Sequence, residues 1–295
     1  MTQILIYLDT NLWNRLLDQG VEPVELLREL KQRNAMLVLS GQTVYELTRT
    51  FANSPERGKE LFRYIKLFLD EGIVGAYDNM NLLRSEVKAL YSGANAVIAF
   101  FDSINEALLK DEVAKLAEGI VDNRAVEFIA ERKEFADRTR EEQKAHFKKR
   151  PDMKTKLLAV SANKVAAWLD GEVSGDVGAA MLTRHLLRVF ESSDTRAAIT
   201  TAQGLLRHPA SRIAKALVRA DLYSNWRCAR RGSNKKDLVD DMYHVLNAAY
   251  CHVYATDEPK QNEYARLLLP PDIEIAIYDD KGSVKDWLLS LLPTS

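Results

Sequence analysis

Cysteine is scarce in this chain. Cys228 and Cys251 are the only two, far apart and in no Cys-x-x-Cys pattern. Neither a disulfide framework nor a cysteine-rich zinc site is expected, and a reducing cytosol is the natural compartment. The histidines are scattered, and no pair has the spacing of a zinc-binding helix. Glycine and proline are few, which with 28% charged residues gives an ordinary globular composition. The net charge is only −1, so any affinity for a polyanion has to come from local charge. No apolar run approaches bilayer length, and no basic leader with a cleavage site precedes the first strand, so no membrane is expected and the cytoplasm is. Gly-x-Gly-x-x-Gly and Gly-x-x-x-x-Gly-Lys-Ser/Thr loops are both lacking, which leaves nucleotide cofactors unsupported.

What is present begins at once. Ile4-Leu5-Ile6-Tyr7-Leu8 is an unbroken apolar run that stops at Asp9-Thr10-Asn11. Such a run, bounded by polar turn formers, predicts a strand buried on both faces, in the middle of a parallel sheet. Open α/β sheets bind ligands beyond the carboxyl ends of their strands, and Asp9 stands there. The alternative is that Asp9 or Thr10 caps the helix predicted over Asn11–Leu17. A second helix starts at Glu22-Pro23, and Ala35–Ser40 is a second buried strand. Ser40-Gly41-Gln42-Thr43 then turns into a helix carrying Glu46 one turn past the strand end. Two parallel strands bring Asp9 and Glu46 to one edge of the sheet; a solvated helix position is the competing reading of Glu46.

The far end of the chain repeats the pattern. Asp237, Asp240 and Asp241 open a helix, more acids than the helix dipole calls for. Cys251–Thr256 predicts a strand that ends at Asp257-Glu258. A helix over Asn262–Leu269, a last strand over Ile273–Tyr278 and an amphipathic helix over Val284–Leu292 follow. Asp9, Glu46, Asp241 and Asp257 thus all fall at a strand's carboxyl end or on the first turn of a helix facing it. Gathered carboxylates raise one another's pKa unless cations neutralise them. Hard oxygen donors without Cys or His suit Mg²⁺ or Mn²⁺. With one or two such ions the expected chemistry is phosphodiester hydrolysis, a metal-bound water attacking and a metal steadying the leaving oxygen.

The series Leu8-Asp9-Thr10-Asn11, Ser40-x-x-Thr43-x-x-Glu46, Asp241-x-x-His244 and Tyr254-Ala255-Thr256-Asp257 resembles that of the PIN-domain nucleases. The resemblance covers roughly residues 1–55 and 237–290. It implies a three-layer α/β/α sandwich with a parallel sheet of four or five strands, and Mg²⁺- or Mn²⁺-dependent cleavage of RNA, sometimes of structured DNA. It makes Asp9, Glu46, Asp241 and Asp257 the four acids. Asp240 or Asp237 is another register for the third, and Glu258 for the fourth. It gives Asn11 and Thr256 the part of polar helpers. It also implies a homodimer and, were the chain a toxin, an antitoxin protein as partner. The rival readings are a PIN scaffold that binds nucleic acid or protein without cutting, and a structure-specific DNase.

Residues 1–55 and 237–295 are therefore read as one discontinuous nuclease core, and 56–236 as a helical insertion, since apolar stripes at helical spacing fill it and strand signals are scarce. Basic residues gather before the third acid, among them Arg227, Arg230, Arg231, Lys235 and Lys236. A basic surface beside an acidic site would attract phosphates that the carboxylates repel. Trp226 among them is read either as a stacking platform for an unpaired base or as core, and His244, a turn beyond Asp241, as a buried, hydrogen-bonded histidine rather than a ligand, with orienting Asp241 as a further role.

Overall fold

The computed structural model describes residues 3–94, 96–121, 134, 137–138, 141–142, 144–145, 147–231 and 238–293. In chain order the first half gives β1 (Ile4–Leu8), α1 (Thr10–Asp18), α2 (Pro23–Gln32), β2 (Ala35–Ser40), α3 (Gly41–Asn53), α4 (Pro55–Asp70), β3 (Val74–Ala76), α5 (Asn79–Ser92) and α6 (Ser103–Ala117). The second half gives α7 (Pro151–Ala159), α8 (Val165–Val173), α9 (Asp176–Val189), α10 (Thr195–Arg207), α11 (Arg212–Arg231), α12 (Leu238–Leu246), β4 (Val253–Thr256), α13 (Pro259–Leu268), β5 (Glu274–Ile277) and α14 (Val284–Ser290).

The five strands form one parallel sheet in the order β3-β2-β1-β4-β5. β1 lies at its centre, as the unbroken apolar run predicts, and its side chains divide between two cores. Ile6 and Leu8 join Leu37, Leu39, Val253 and Ala255 on one face, covered by α1, α2, α3, α4, α6 and α14. Tyr7 joins Val38 and Tyr254 on the other, covered by α5 and by the helices from α7 to α13. Helices on both faces are what a parallel sheet needs, because crossovers must run over it. The helical lobe stacks outside the second face. Its axis is α11, twenty residues long and buried along most of its length.

One expectation changes here. The stretch 56–236 is not helical throughout, since it supplies β3, whose Val38↔Val74 register extends the sheet beyond β2. β3 is three residues long and centred on Gly75, and so carries almost no strand signal. The glycine is required by contact, since a Cβ there would overlap the ring of Phe101. The Phe101 amide donates to the Gly75 carbonyl at 2.8 Å, and Phe100 bridges Ala76 in antiparallel fashion. This short segment covers the free edge of β3. Within the lobe, the Glu86 carboxylate of α5 meets the start of α11, accepting from the amides of Ile213 at 2.6 Å and Ala214 at 3.0 Å and from the Tyr250 hydroxyl. Among the described residues, no helix is long and apolar enough to cross a membrane.

Candidate functional site

The chain runs outward through β1, β2 and β3, then returns to place β4 on the other side of β1. The crevice between β1 and β4 is therefore the point where strand order reverses, the usual ligand position in an open parallel sheet. Asp9 follows β1 on one side of it, and Asp257 follows β4 on the other. The register Leu8↔Ala255 sets Asp9 level with Thr256, and the Asp9 amide donates to the Ala255 carbonyl at 2.9 Å.

Asp9 is buried and accepts a hydrogen bond from Thr256 Oγ1 at 2.7 Å. Thr256 Oγ1 in turn accepts from the Glu258 amide at 3.0 Å, so one hydroxyl fixes the β4 turn and the acid together. Glu46 reaches the same place from α3. It accepts from Thr10 Oγ1 at 2.6 Å and from Gln42 Nε2 at 3.4 Å. Ser40 caps α3 through the Thr43 amide, and its hydroxyl meets Tyr7, which also meets Thr43. The buried Tyr7 phenol thereby ties the ends of β1 and β2 under the two carboxylates.

His244 stands between them. Its Nδ1 lies 3.2 Å from Glu46 Oε2 and its Nε2 3.8 Å from Asp9 Oδ1, with neither nitrogen aligned for a hydrogen bond. The ring is fully enclosed and packs edge-on to Tyr7 at 5.5 Å. Burial disfavours its charge, but Glu46, Asp9 and Asp241 together outweigh that and raise its pKa. Burial likewise pushes the Glu46 carboxyl up, yet the charge of His244 and the surrounding donors prevail and hold it down at about 2. Asp9 goes the other way. Burial raises its pKa, and Glu46 and Asp257 add to that against the help of His244 and Thr256. The two acids are thus driven in opposite directions by one histidine that favours the nearer of them.

Asp257 is held by Arg15 of α1, which also pairs with Asp280. The second carboxylate oxygen of Asp257, Oδ1, is buried with no hydrogen-bond partner. Burial, with Asp9 and Asp257 nearby, raises the pKa of Glu258. Asp241 is half-buried on α12 and joins the cluster through its charge on His244. Asp240 lies on the backbone of α12, but its side chain is outside the described residues, as is all of Asp237.

Glu46 and Asp257 thus act on Asp9 through their charges, and Asp241 acts on His244. Among the described residues, no group of three or more His, Cys, Asp or Glu side chains is drawn close enough to hold a metal ion. In this arrangement His244 and Arg15 provide the neutralising charge. The donor type nonetheless fits a hard divalent cation, because Asp9, Glu46, Asp241 and Asp257 offer only oxygens, and Asp257 Oδ1 is a buried acceptor left unused.

The polar helpers differ from expectation on one side of the site. Thr256 touches Asp9, but Asn11 is exposed and its neighbour Thr10 makes the contact to Glu46. Gln42 and Asn247 are additional. Asn247 Nδ2 donates to Gln42 Oε1 at 3.1 Å, and both are buried. The amide at Asn247 in the turn after α12 carries no local pattern that marks it. Arg15 is the other addition; at helical spacing on α1 it reads as an ordinary surface charge.

Of the described members of the basic cluster, Arg227 is turned inward, and Arg230 and Arg231 are exposed. Arg227 is buried between the rings of Tyr223 and Tyr264, at 5.7 and 5.6 Å, and donates to both hydroxyls. Arg230 lies over Trp226 at 5.1 Å and donates to the Val160 carbonyl. Trp226 is itself buried, its Nε1 bonded to the same carbonyl at 2.9 Å, so it is a core residue and no stacking platform. Arg231 is exposed at the end of α11, and Lys235 and Lys236 lie outside the described residues. No protein-family model, curated protein or solved structure matches the chain.

Proposed function

We propose that the chain is a PIN-like, metal-dependent endoribonuclease whose site is the crevice between β1 and β4. The observation that carries this reading is the convergence of acids from opposite ends of the chain on one buried point, with Asp9 hydrogen-bonded to Thr256 and Glu46 and Asp9 sharing His244. Burying carboxylates together is costly unless something recovers the cost. A capping role for Asp9 does not recover it, because its side chain makes no cap bond to α1.

Asp9, Glu46, Asp241 and Asp257 would hold Mg²⁺ or Mn²⁺, which when bound supplies an acidified water and charge compensation for the phosphodiester. The chain's own residues do the rest. Thr256 and Thr10 aim the Asp9 and Glu46 carboxylates from the two sides of the crevice. Tyr7, Ser40 and Thr43 fix the strand ends beneath them. His244 keeps Glu46 ionised and restrains Asp9, and Arg15 holds Asp257 against β4 while leaving its Oδ1 open. Arg230 and Arg231 at the end of α11 are the exposed described members of the basic cluster and would meet a phosphate.

The test is cleavage of a pool of single-stranded and structured RNA with Mn²⁺ or Mg²⁺, with EDTA, and with Asp9→Asn. Cutting that needs both metal and Asp9 supports the reading. Asp9→Asn should lower cleavage by at least about 100-fold, the scale for losing a group that contacts the transition state, and should leave the melting temperature equal or higher, since an uncharged side chain replaces a buried carboxylate whose pKa is raised. Full activity in that variant would refute it. Cutting confined to 2′-deoxy substrates would move the activity to a DNase, and metal and RNA binding without cutting would leave a scaffold. The same purified chain, weighed in solution, checks for the homodimer. A toxin role would require a partner protein that blocks the crevice.

A further inference from the structure

A cleft opens beside Glu46 on the β3 side of the sheet. Its two lobes, of about 330 and 580 Å³, share Gly41, Tyr45, Asp78, Phe101 and Asn105. This is the size of a small-ligand pocket, which spans about 300–1,000 Å³. Gln42 lines the smaller lobe and donates to Glu46, so the cleft begins one side chain from the acids.

Its walls have a definite chemistry. The rings of Tyr77 and Phe101 meet edge to face at 4.9 Å. Gly75 leaves the space in which the Phe101 ring lies across β3. Asn105 Nδ2 donates to the Tyr77 hydroxyl at 3.1 Å and to Asp102 at 2.8 Å, which orients its carbonyl oxygen as an acceptor. Asp78, at the cap of α5, adds a carboxylate whose Oδ1 accepts from the Met80 and Asn81 amides and whose Oδ2 accepts from Asn81 Nδ2 at 2.9 Å, with lone pairs left for a further donor. Arg84 lines the smaller lobe and Lys115 the larger, so the walls carry both signs of charge. Aromatic faces flanked by acceptors suit a flat ring with amino hydrogens at its edge.

We infer that this cleft is a base pocket, which receives one unpaired nucleobase carrying an exocyclic amine from the strand whose phosphate lies at Asp9. The inference rests on the nuclease reading above. Tyr77 and Phe101 supply the stacking surface, and Asn105 Oδ1 and Asp78 accept from the amine, as carboxylates do from the cytosine N4 group. Adenine, cytosine and guanine qualify; uracil, which has no such amine, does not.

The experiment measures binding of six-nucleotide RNA homopolymers of A, C and U to the full chain in EDTA, by fluorescence anisotropy. A and C should bind about ten-fold more tightly than U, the scale of one good base-edge contact. Asn105→Leu on the surface of α6 should erase the preference, and Phe101→Leu, which keeps an apolar side chain over Gly75, should weaken all three. Circular dichroism checks that both variants fold. Equal affinity for the three, a preference untouched by Asn105→Leu, or no binding of any of them would overturn the pocket. The same preparations are then given Mn²⁺ and mixed-sequence RNA. Cleavage without base preference sinks the pocket alone, and selective binding without cleavage sinks the nuclease alone.

Discussion

Glu86 offers the sharpest energetic test of this structure. Its carboxylate is enclosed where α5 meets the start of α11, with the Ile213 and Ala214 amides and the Tyr250 hydroxyl as donors. Burial raises its pKa from the ordinary 4.5 to about 7, even though those donors oppose the shift. The folded chain thus binds this proton more tightly than the unfolded chain. The stabilisation is complete below pH 4.5, declines as pH rises, and is gone above about 7. The whole span corresponds to about 3 kcal/mol. About 2.5 kcal/mol of it falls between pH 5 and 8. Glu86→Gln removes the titration and sets an amide N–H₂ against a backbone N–H, which costs about 1–3 kcal/mol by itself. Urea unfolding of both proteins at pH 5 and pH 8, followed by circular dichroism and by tryptophan fluorescence, gives the double difference. The deficit of the variant should be about 2.5 kcal/mol larger at pH 5. Every other titrating group cancels in that difference if it is distant from Glu86. Parallel stability profiles, within about 0.5 kcal/mol, would refute the claim that Glu86 is buried and takes up a proton on folding.

Two further outcomes follow from the site and its edge. His244→Leu leaves Asp9 and Glu46 facing each other without their shared cation, and should cost about 3–5 kcal/mol; added Mg²⁺ should recover part of the melting temperature in calorimetry, whereas no response to metal would mean the carboxylates do not form a cation site. Gly75→Ala forces the Phe101 ring out of contact with β3, at a cost of about 1–3 kcal/mol, measured as a lower urea midpoint; an unchanged midpoint would show that the ring moves freely.

Much of the core was readable from the residues because both its strands and its acids announce themselves locally. β1 and β2 are unbroken apolar runs, and Asp9 and Asp257 each end a strand, so strand identity and site position come from the same few residues. β3 was hidden because three residues around a glycine hold too little side chain to show a period, and its place depends on Phe100 and Phe101 arriving from later in the chain. Thr10, Gln42, Asn247 and Arg15 went unseen for a related reason. Each is an ordinary helix or turn residue until folding brings a carboxylate or amide to it from more than thirty positions away. Arg227 departs from its sequence reading in the opposite direction, whereas Trp226 takes the core place that its helical spacing allows. A cluster of cations in a sequence reads as surface, but aromatic rings can enclose a guanidinium, and Tyr223 and Tyr264 do so here.

The position of β4 also sets an order of events during synthesis. β1, β2 and β3 leave the ribosome early, whereas the strand that sits between β1 and β5 begins only at Val253, long after β1 ends at Leu8. Until it arrives, β1 is an edge strand, and Asp9 has neither Thr256 nor His244 beside it. The growing polypeptide therefore carries an incomplete site along its whole helical lobe, and the crevice closes only when the last quarter of the chain is made. On the nuclease reading proposed above, this order would keep the site incomplete until β4 is made.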